Sequence, residues 1–152
     1  MRKFLAKWVS LVVPLLVFGF FTLLGHEWFQ SFAASYFGLN PEMTFHWWGI
    51  SLEIDTPASI WQDLLIRIVG GWGTALLFGI LWVLAHWQGA YSDWELDDCF
   101  IFGFLAAWQF IYGITECFGY WLFWFSIIAA ELSLGIVILL YARRIWRWLG
   151  ES

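Results

Sequence analysis

The chain has 152 residues and a formal net charge of −5; 62% of its residues are hydrophobic and only 12% are charged. An ordinary globular domain is about half apolar and a quarter charged, so this composition excludes a typical water-soluble domain and predicts an integral protein of the lipid bilayer. Transmembrane helices of roughly 20 residues leave room for four crossings in a single domain, residues 1–152.

The basic residues are concentrated at the two ends of the chain. Six of the seven flank the predicted membrane segments, and they are Arg2, Lys3, Lys7, Arg143, Arg144 and Arg147. Because positively charged flanks stay in the cytoplasm, this distribution predicts a multi-pass protein with both termini cytoplasmic. No basic patch of the kind that binds nucleic acid is present.

The first predicted element is a helix over about 4–36, which crosses the membrane at about 9–30. Gly38 and Pro41 are typical of a helix end and predict that it stops there. The following stretch, 42–55, is rich in β-branched and aromatic residues, which predicts a short β-hairpin turning around Gly49 at the membrane interface.

Three further membrane segments follow. Pro57 is expected to open a short amphipathic helix that leads into a second span at about 66–87. The acidic stretch 88–98 lacks the alternating ligands and central glycine of a calcium loop and is interpreted as a solvated connector. The third and fourth spans are expected at about 99–118 and 120–141. The predicted fold class is therefore an all-α integral membrane protein with four transmembrane helices and one interfacial β-hairpin.

The most informative stretch is GHEWFQSFAASYFG, from Gly25 to Gly38. Ionisable side chains within a membrane segment are costly and are functional candidates by default, and His26 and Glu27 form such a pair. Gln30 lies one helical turn after His26 and shares its face. Glu116, near the outer end of the third span, is predicted to reach the same depth.

HEWFQSFAASYFG resembles the zinc helix of the site-2 protease family of intramembrane metalloproteases. That family reads approximately HExxH, then alanine-rich positions and a closing Phe-Gly, which Ala33, Ala34, Phe37 and Gly38 match here. The hairpin stretch and the small pair Gly70 and Gly71 resemble later family elements, so the likeness covers roughly residues 10–118 as an order of elements.

The resemblance implies a zinc site and a catalytic base. His26 matches the first zinc ligand, Glu27 the base that activates the zinc-bound water, and Glu116 the distal acidic ligand. Gln30 stands where the family has its second histidine, and His46 on the hairpin is a possible substitute ligand. The implied substrate is an unwound segment of another transmembrane protein, cleaved with zinc polarising the scissile carbonyl and Glu27 transferring the proton.

Two functions remain open on the residues alone. One is an intramembrane zinc metalloprotease with an altered metal site. The other is a catalytically inactive pseudoprotease that serves as a membrane accessory or partner-binding subunit, with the polar residues forming a hydrogen-bonded cluster.

Glu131, in the middle of the fourth predicted span, has no motif around it and is interpreted as facing the bundle interior or a partner subunit. A small transporter is disfavoured, because the chain has no evident internal repeat.

Overall fold

The computed structural model describes residues 2–46, 49–55, 58–87, 93–118 and 122–150. This part of the chain is mostly helical, with four α-helices and one antiparallel hairpin. The elements in chain order are α1 (Arg2–Tyr36), β1 (Pro41–His46), β2 (Gly49–Ile54), α2 (Ile60–Trp87), α3 (Asp93–Thr115), a 3-10 turn (Glu116–Phe118) and α4 (Leu122–Gly150).

Helix α1 is continuous through Pro14 and ends where the sequence predicts. Gly38 adopts a positive φ of 75°, the left-handed conformation that closes many helices. The backbone N–H of Leu39 donates to the carbonyl of Ala34 at 3.1 Å, and that of Gly38 donates to Ser35 at 3.0 Å. These two bonds form a Schellman motif, which satisfies carbonyls that the last helical turn leaves open.

The predicted hairpin is present, in the register Pro41↔Ile54 to His46↔Gly49. Gly49, around which the sequence predicts the turn, is the first residue of β2 and pairs with His46, the last residue of β1. Residues 47 and 48, between the strands, lie outside the described residues. Leu52 and Ile54 of β2 pack on the end of α1, against the buried cluster of Ala33, Ala34 and Ile66. The hairpin thus covers the junction between α1 and α2.

Helix α2 begins at Ile60. The predicted start, Pro57, lies outside the described residues. The Ser59 hydroxyl accepts from the backbone N–H of Gln62 at 3.4 Å, and the Gln62 side-chain oxygen accepts from the N–H of Ser59 at 2.9 Å. This reciprocal arrangement is a capping box, so the helix starts at the residue after the serine.

The prediction of a connector over 88–98 is wrong for its second half. Residues 88–92 are outside the described residues, but α3 already begins at Asp93. Acidic residues are favourable in the first turn of a helix because they face the positive end of its dipole, which explains why a carboxylate-rich stretch can be helical. At its other end α3 gives way to the 3-10 turn that begins with Glu116.

Three helices are long and apolar enough to cross a membrane among the described residues: Val12–Tyr36, Ile60–Trp87 and Cys99–Phe118. Large apolar side chains on these helices point outward. Leu16, Phe32 and Leu76 are each more than 60% exposed. Such exposure is costly in water and favourable in lipid, which agrees with an integral membrane protein.

Helix α2 packs between α1 and α3, and α4 packs along the other side of α3. Helices α2 and α3 approach closely at Gly71 and Gly113: a Cβ added at Gly71 would lie 2.4 Å from the Gly113 Cα. Small residues allow two membrane helices to meet backbone to backbone. An apolar groove of about 870 Å³ remains between α2 and α4, with Gly103, Ala106 and Ala107 of α3 at its floor.

Gly71→Ala is expected to lower the free energy of unfolding by about 1–3 kcal/mol, because the added methyl group meets backbone that no side-chain rotation can move away. The matched control is Gly79→Ala on the same helix, where nothing lies within 4 Å of an added Cβ. Gly79→Ala should be neutral or slightly stabilising. Thermal unfolding in detergent, followed by circular dichroism, measures both, and equal stability of the two variants would contradict the close approach.

Candidate functional site

A buried polar stripe runs along one face of α1. Thr22, His26 and Gln30 are spaced four residues apart and have exposed fractions of 0%, 4% and 6%. The spacing of about one helical turn keeps them on one side, facing α2 and α3. Thr22 satisfies its hydroxyl within its own helix by donating to the Phe18 carbonyl. His26 and Gln30 require partners from elsewhere in the chain.

Those partners come from the end of α3 and the 3-10 turn. Gln109 is 1% exposed and Glu116 is 8% exposed. The ring of Tyr112 packs edge-on against the His26 imidazole, with 5.2 Å between ring centroids. Two polar side chains and one aromatic ring from α3 and its 3-10 turn therefore enclose the histidine of α1.

The four polar side chains form one network, named here the polar cluster: His26, Gln30, Gln109 and Glu116. The His26 Nε2 lies 3.0 Å from the Glu116 Oε2, while its Nδ1 lies 3.1 Å from the Gln109 Oε1. The Gln30 amide nitrogen lies 2.9 Å from the His26 Nε2 and 3.1 and 3.2 Å from the two Glu116 oxygens. The cluster joins residues more than 80 positions apart.

The hydrogen-bond roles follow from which atoms can donate. The Gln109 oxygen only accepts, so the His26 Nδ1 carries a proton and donates it. The Gln30 amide donates to the Glu116 carboxylate, and its nitrogen also lies beside the His26 Nε2, which has one lone pair or one proton and therefore bonds one partner at a time. The contact between Nε2 and the Glu116 Oε2 is favourable when one proton lies between them, since two acceptors would otherwise repel at 3.0 Å. The cluster is thus satisfied internally, as buried polar groups in a membrane must be.

Gly70 provides the space that Gln30 occupies. A Cβ added at Gly70 would lie 2.4 Å from the Gln30 Cγ and 3.0 Å from its amide nitrogen. The two members of the small pair therefore differ in role, because Gly71 admits the backbone of α3 whereas Gly70 admits the Gln30 side chain.

Glu27, the expected catalytic base, is half-buried beside the polar cluster. The backbone of Leu52 on β2 lies close to its carboxylate. Arg67 lies at the edge of the cluster, with its guanidinium 2.9 Å from the Asp63 carboxylate and 3.9 Å from Glu116. The hairpin and α2 therefore bring additional partners to the two glutamates.

The donor set does not fit a catalytic zinc ion. The His26, Gln30 and Glu116 atoms lie about 3 Å apart, a spacing that hydrogen bonds and the ligands of a tetrahedral zinc share. Donor identity separates the two cases: zinc takes nitrogen from histidine, sulfur from cysteine or oxygen from a carboxylate, whereas Gln30 directs an amide N–H into the centre. Within the described residues, no group of three or more His, Cys, Asp and Glu side chains could hold a metal ion.

The other candidate residues lie outside the polar cluster. His46, the possible substitute ligand, bonds to the Ser51 hydroxyl across the hairpin at 2.9 Å. Glu131 is on α4 and is exposed. The sequence analysis missed Gln109, which has no motif around it. The available signal is its position on α3, seven residues before Glu116 of the 3-10 turn.

A second polar network, also missed, joins α2 to α4. The Trp82 Nε1 donates to the Tyr141 hydroxyl at 2.6 Å, and the hydroxyl also lies 3.1 Å from the His86 Nε2. Tyr141 is 4% exposed. His86 and Arg67 are near opposite ends of α2, so this network is separate from the polar cluster and ties the far end of the bundle together.

Comparisons with models of known protein families, with curated proteins and with solved structures give no match.

Replacing Glu116 by Leu is expected to destabilise the protein by about 3–5 kcal/mol, because His26 and Gln30 keep buried donors without an acceptor. The double variant His26→Leu/Glu116→Leu should cost less than the sum of the single changes, by about 1–3 kcal/mol. Unfolding in mixed micelles, followed by circular dichroism, measures this coupling energy.

The control is the pair Asp63 and Arg67, whose side chains are 49% and 33% exposed. Pairs of this kind, one helical turn apart, couple by about 0.3–0.5 kcal/mol. Additive costs for His26 and Glu116, with a coupling energy no larger than that of the control pair, would contradict a tightly linked polar cluster.

Proposed function

We propose that this protein is a catalytically inactive, site-2-protease-like membrane protein that serves as an accessory or partner-binding subunit. The observation that carries the proposal is the position of Gln30. Its amide N–H groups point at the two side chains, His26 and Glu116, that the family resemblance assigns as zinc ligands. A hydrogen-bonded amide fills the position in which a third metal donor is needed.

The structural role of the polar cluster supports this proposal. His26, Gln109 and Glu116 are all bonded to protein partners, so none of them needs a ligand to be satisfied in the membrane. Glu27 is half-buried, with the backbone of β2 close to its carboxylate. The residues that resemble catalytic residues thus form hydrogen bonds that hold α1 against α3 and its 3-10 turn.

The competing function is an intramembrane zinc metalloprotease with an altered metal site. One observation favours it: the side chains of His26 and Glu116 meet at 3.0 Å although they are 90 residues apart, with Glu27 next to the histidine. For this function Gln30 must turn its amide and offer a weak neutral oxygen to the metal. Zinc content therefore separates the two functions.

The natural protein, purified in detergent without chelator, is expected to contain well under one zinc ion per chain. Gln30→His should raise the content toward one, because it supplies the missing nitrogen donor beside His26 and Glu116. Elemental analysis by mass spectrometry measures the content. Adding His26→Ala or Glu116→Ala to the Gln30→His variant should remove the gain.

The matched control is Gln62→His, which places a new histidine on α2 away from the polar cluster and should bind no zinc. Stoichiometric zinc in the natural sequence, lost on His26→Ala, would overturn the inactive-scaffold proposal and favour the protease.

We further propose that α4 is a fourth transmembrane helix and that both termini are cytoplasmic. The support is its length of 29 residues and the single charged residue, Glu131, between Trp121 and Tyr141. Four crossings return the chain to its starting side, where basic residues flank both ends.

Labelling of single cysteines tests this topology. In a Cys99→Ala/Cys117→Ala background, Thr44→Cys on the hairpin should react with a membrane-impermeant maleimide added to intact cells. Ser152→Cys should react only after lysis. Reaction of both cysteines in intact cells would indicate three crossings instead of four.

A further inference from the structure

The outer face of α4 carries a carboxylate in an apolar surface. Ala129, Ser133, Val137 and Tyr141 recur every four residues and are all at most 4% exposed, so they form the side of α4 that packs toward α3. Glu131 lies two residues from both Ala129 and Ser133. Two helical residues correspond to about 200°, so Glu131 is on the opposite side of the helix.

This face has no partner within the described part of the chain. Glu131 is exposed, and its carboxylate forms no hydrogen bond or ion pair with the described residues. The surrounding residues on this face are apolar and exposed. They lie one turn before Glu131 (Ile127 and Ile128), one turn after it (Leu134) and two turns after it (Ile138). Gly135, one turn after Glu131, has nothing within 4 Å of an added Cβ.

The depth of Glu131 makes a lone carboxylate costly. It lies nine positions after Leu122, the first residue of α4, and ten positions before Tyr141, so roughly 14–15 Å of helix separates it from each, about half the thickness of a hydrocarbon core. The glutamate side chain is too short to reach either headgroup region. Carboxylates at that depth pair with one another, with cations or with hydrogen-bond donors.

We propose that this face of α4 docks a transmembrane helix of a different protein that carries a lysine or arginine at mid-membrane. Glu131 neutralises the basic side chain, and Gly135 lets the partner backbone approach closely while the surrounding isoleucine and leucine side chains supply contact area. A second copy of this chain is the less favourable occupant, because packing two such faces together places one carboxylate against another.

The inference rests on the proposed function, since it identifies the surface and partner chemistry of the proposed subunit. Its readout is independent of zinc. The proposed docking surface is contradicted if the affinity for the partner helix does not depend on Glu131. The proposed lack of catalysis is contradicted separately, if the natural protein contains stoichiometric zinc.

The test uses the full-length protein in phosphatidylcholine vesicles and a leucine-alanine transmembrane peptide with one lysine at its midpoint. Energy transfer between labelled protein and labelled peptide reports binding. The lysine peptide should bind about 5- to 30-fold more tightly than a peptide with leucine at the midpoint, in line with about 1–2 kcal/mol for a polar contact between model membrane helices. Glu131→Leu should remove this preference.

Two controls keep the outcome decisive. Leu139→Ala alters another exposed position of α4 while leaving the carboxylate in place, so it should preserve the preference for lysine. Glu131→Leu should unfold at the same temperature as the natural protein, because the carboxylate contacts nothing that the fold needs.

A lysine preference that persists in Glu131→Leu, or that is absent from the natural protein, would overturn the proposal. Strong energy transfer between two labelled copies of the natural protein, lost in Glu131→Leu, would also overturn it, by identifying a second copy as the occupant.

Discussion

The arrangement of α1, α2 and α3 depends on one constraint: polar side chains inside a membrane protein must be satisfied by the protein itself. His26 and Gln30 of α1 find their partners on α3 and its 3-10 turn, in Gln109 and Glu116. Removing one member of such a network leaves buried polar atoms without partners, at a cost comparable with a large part of a domain's stability. The network therefore specifies how the first and third helices are placed.

The close packing of α2 serves the same constraint. Gly71 brings α2 and α3 into backbone contact, and Gly70 leaves the space that Gln30 needs to reach across to Glu116. Small residues in membrane helices are usually explained by helix–helix contact alone. Here one of two adjacent glycines allows the helix contact and the other accommodates a polar side chain. The same glycine pair is therefore needed both for helix packing and for Gln30 to join the polar cluster.

A single residue type separates a metal centre from a closed hydrogen-bond network. A histidine offers a lone pair to zinc, whereas the Gln30 amide directs N–H groups toward the same two neighbours that would otherwise be ligands. Helix α4 presents the opposite situation, since Glu131 is polar, lies in an apolar surface and has no partner within the described chain. The polar cluster is satisfied by its own members, whereas the carboxylate on the outer face of α4 requires a partner from a neighbouring molecule.

Local patterns in the sequence were sufficient to predict the membrane class and a helix in each of the four predicted segments. They also predicted the end of α1 before Gly38 and the hairpin after it. These features depend on hydrophobic runs and on glycine backbone preferences, which act over a few residues. A local signal also led to an error: the carboxylates from Asp93 onward suggested a connector, although α3 is already helical there and a helix dipole favours acidic residues in its first turn. The sequence predicted that Glu116 reaches the depth of His26, but only the tertiary structure decided that their side chains meet at 3.0 Å and that Gln109 joins them. It also decided that Gly70 makes room for Gln30 and that Glu131 faces outward. Those facts depend on how helices rotate and cross, and pairing across more than 80 residues leaves no periodic trace in a single sequence.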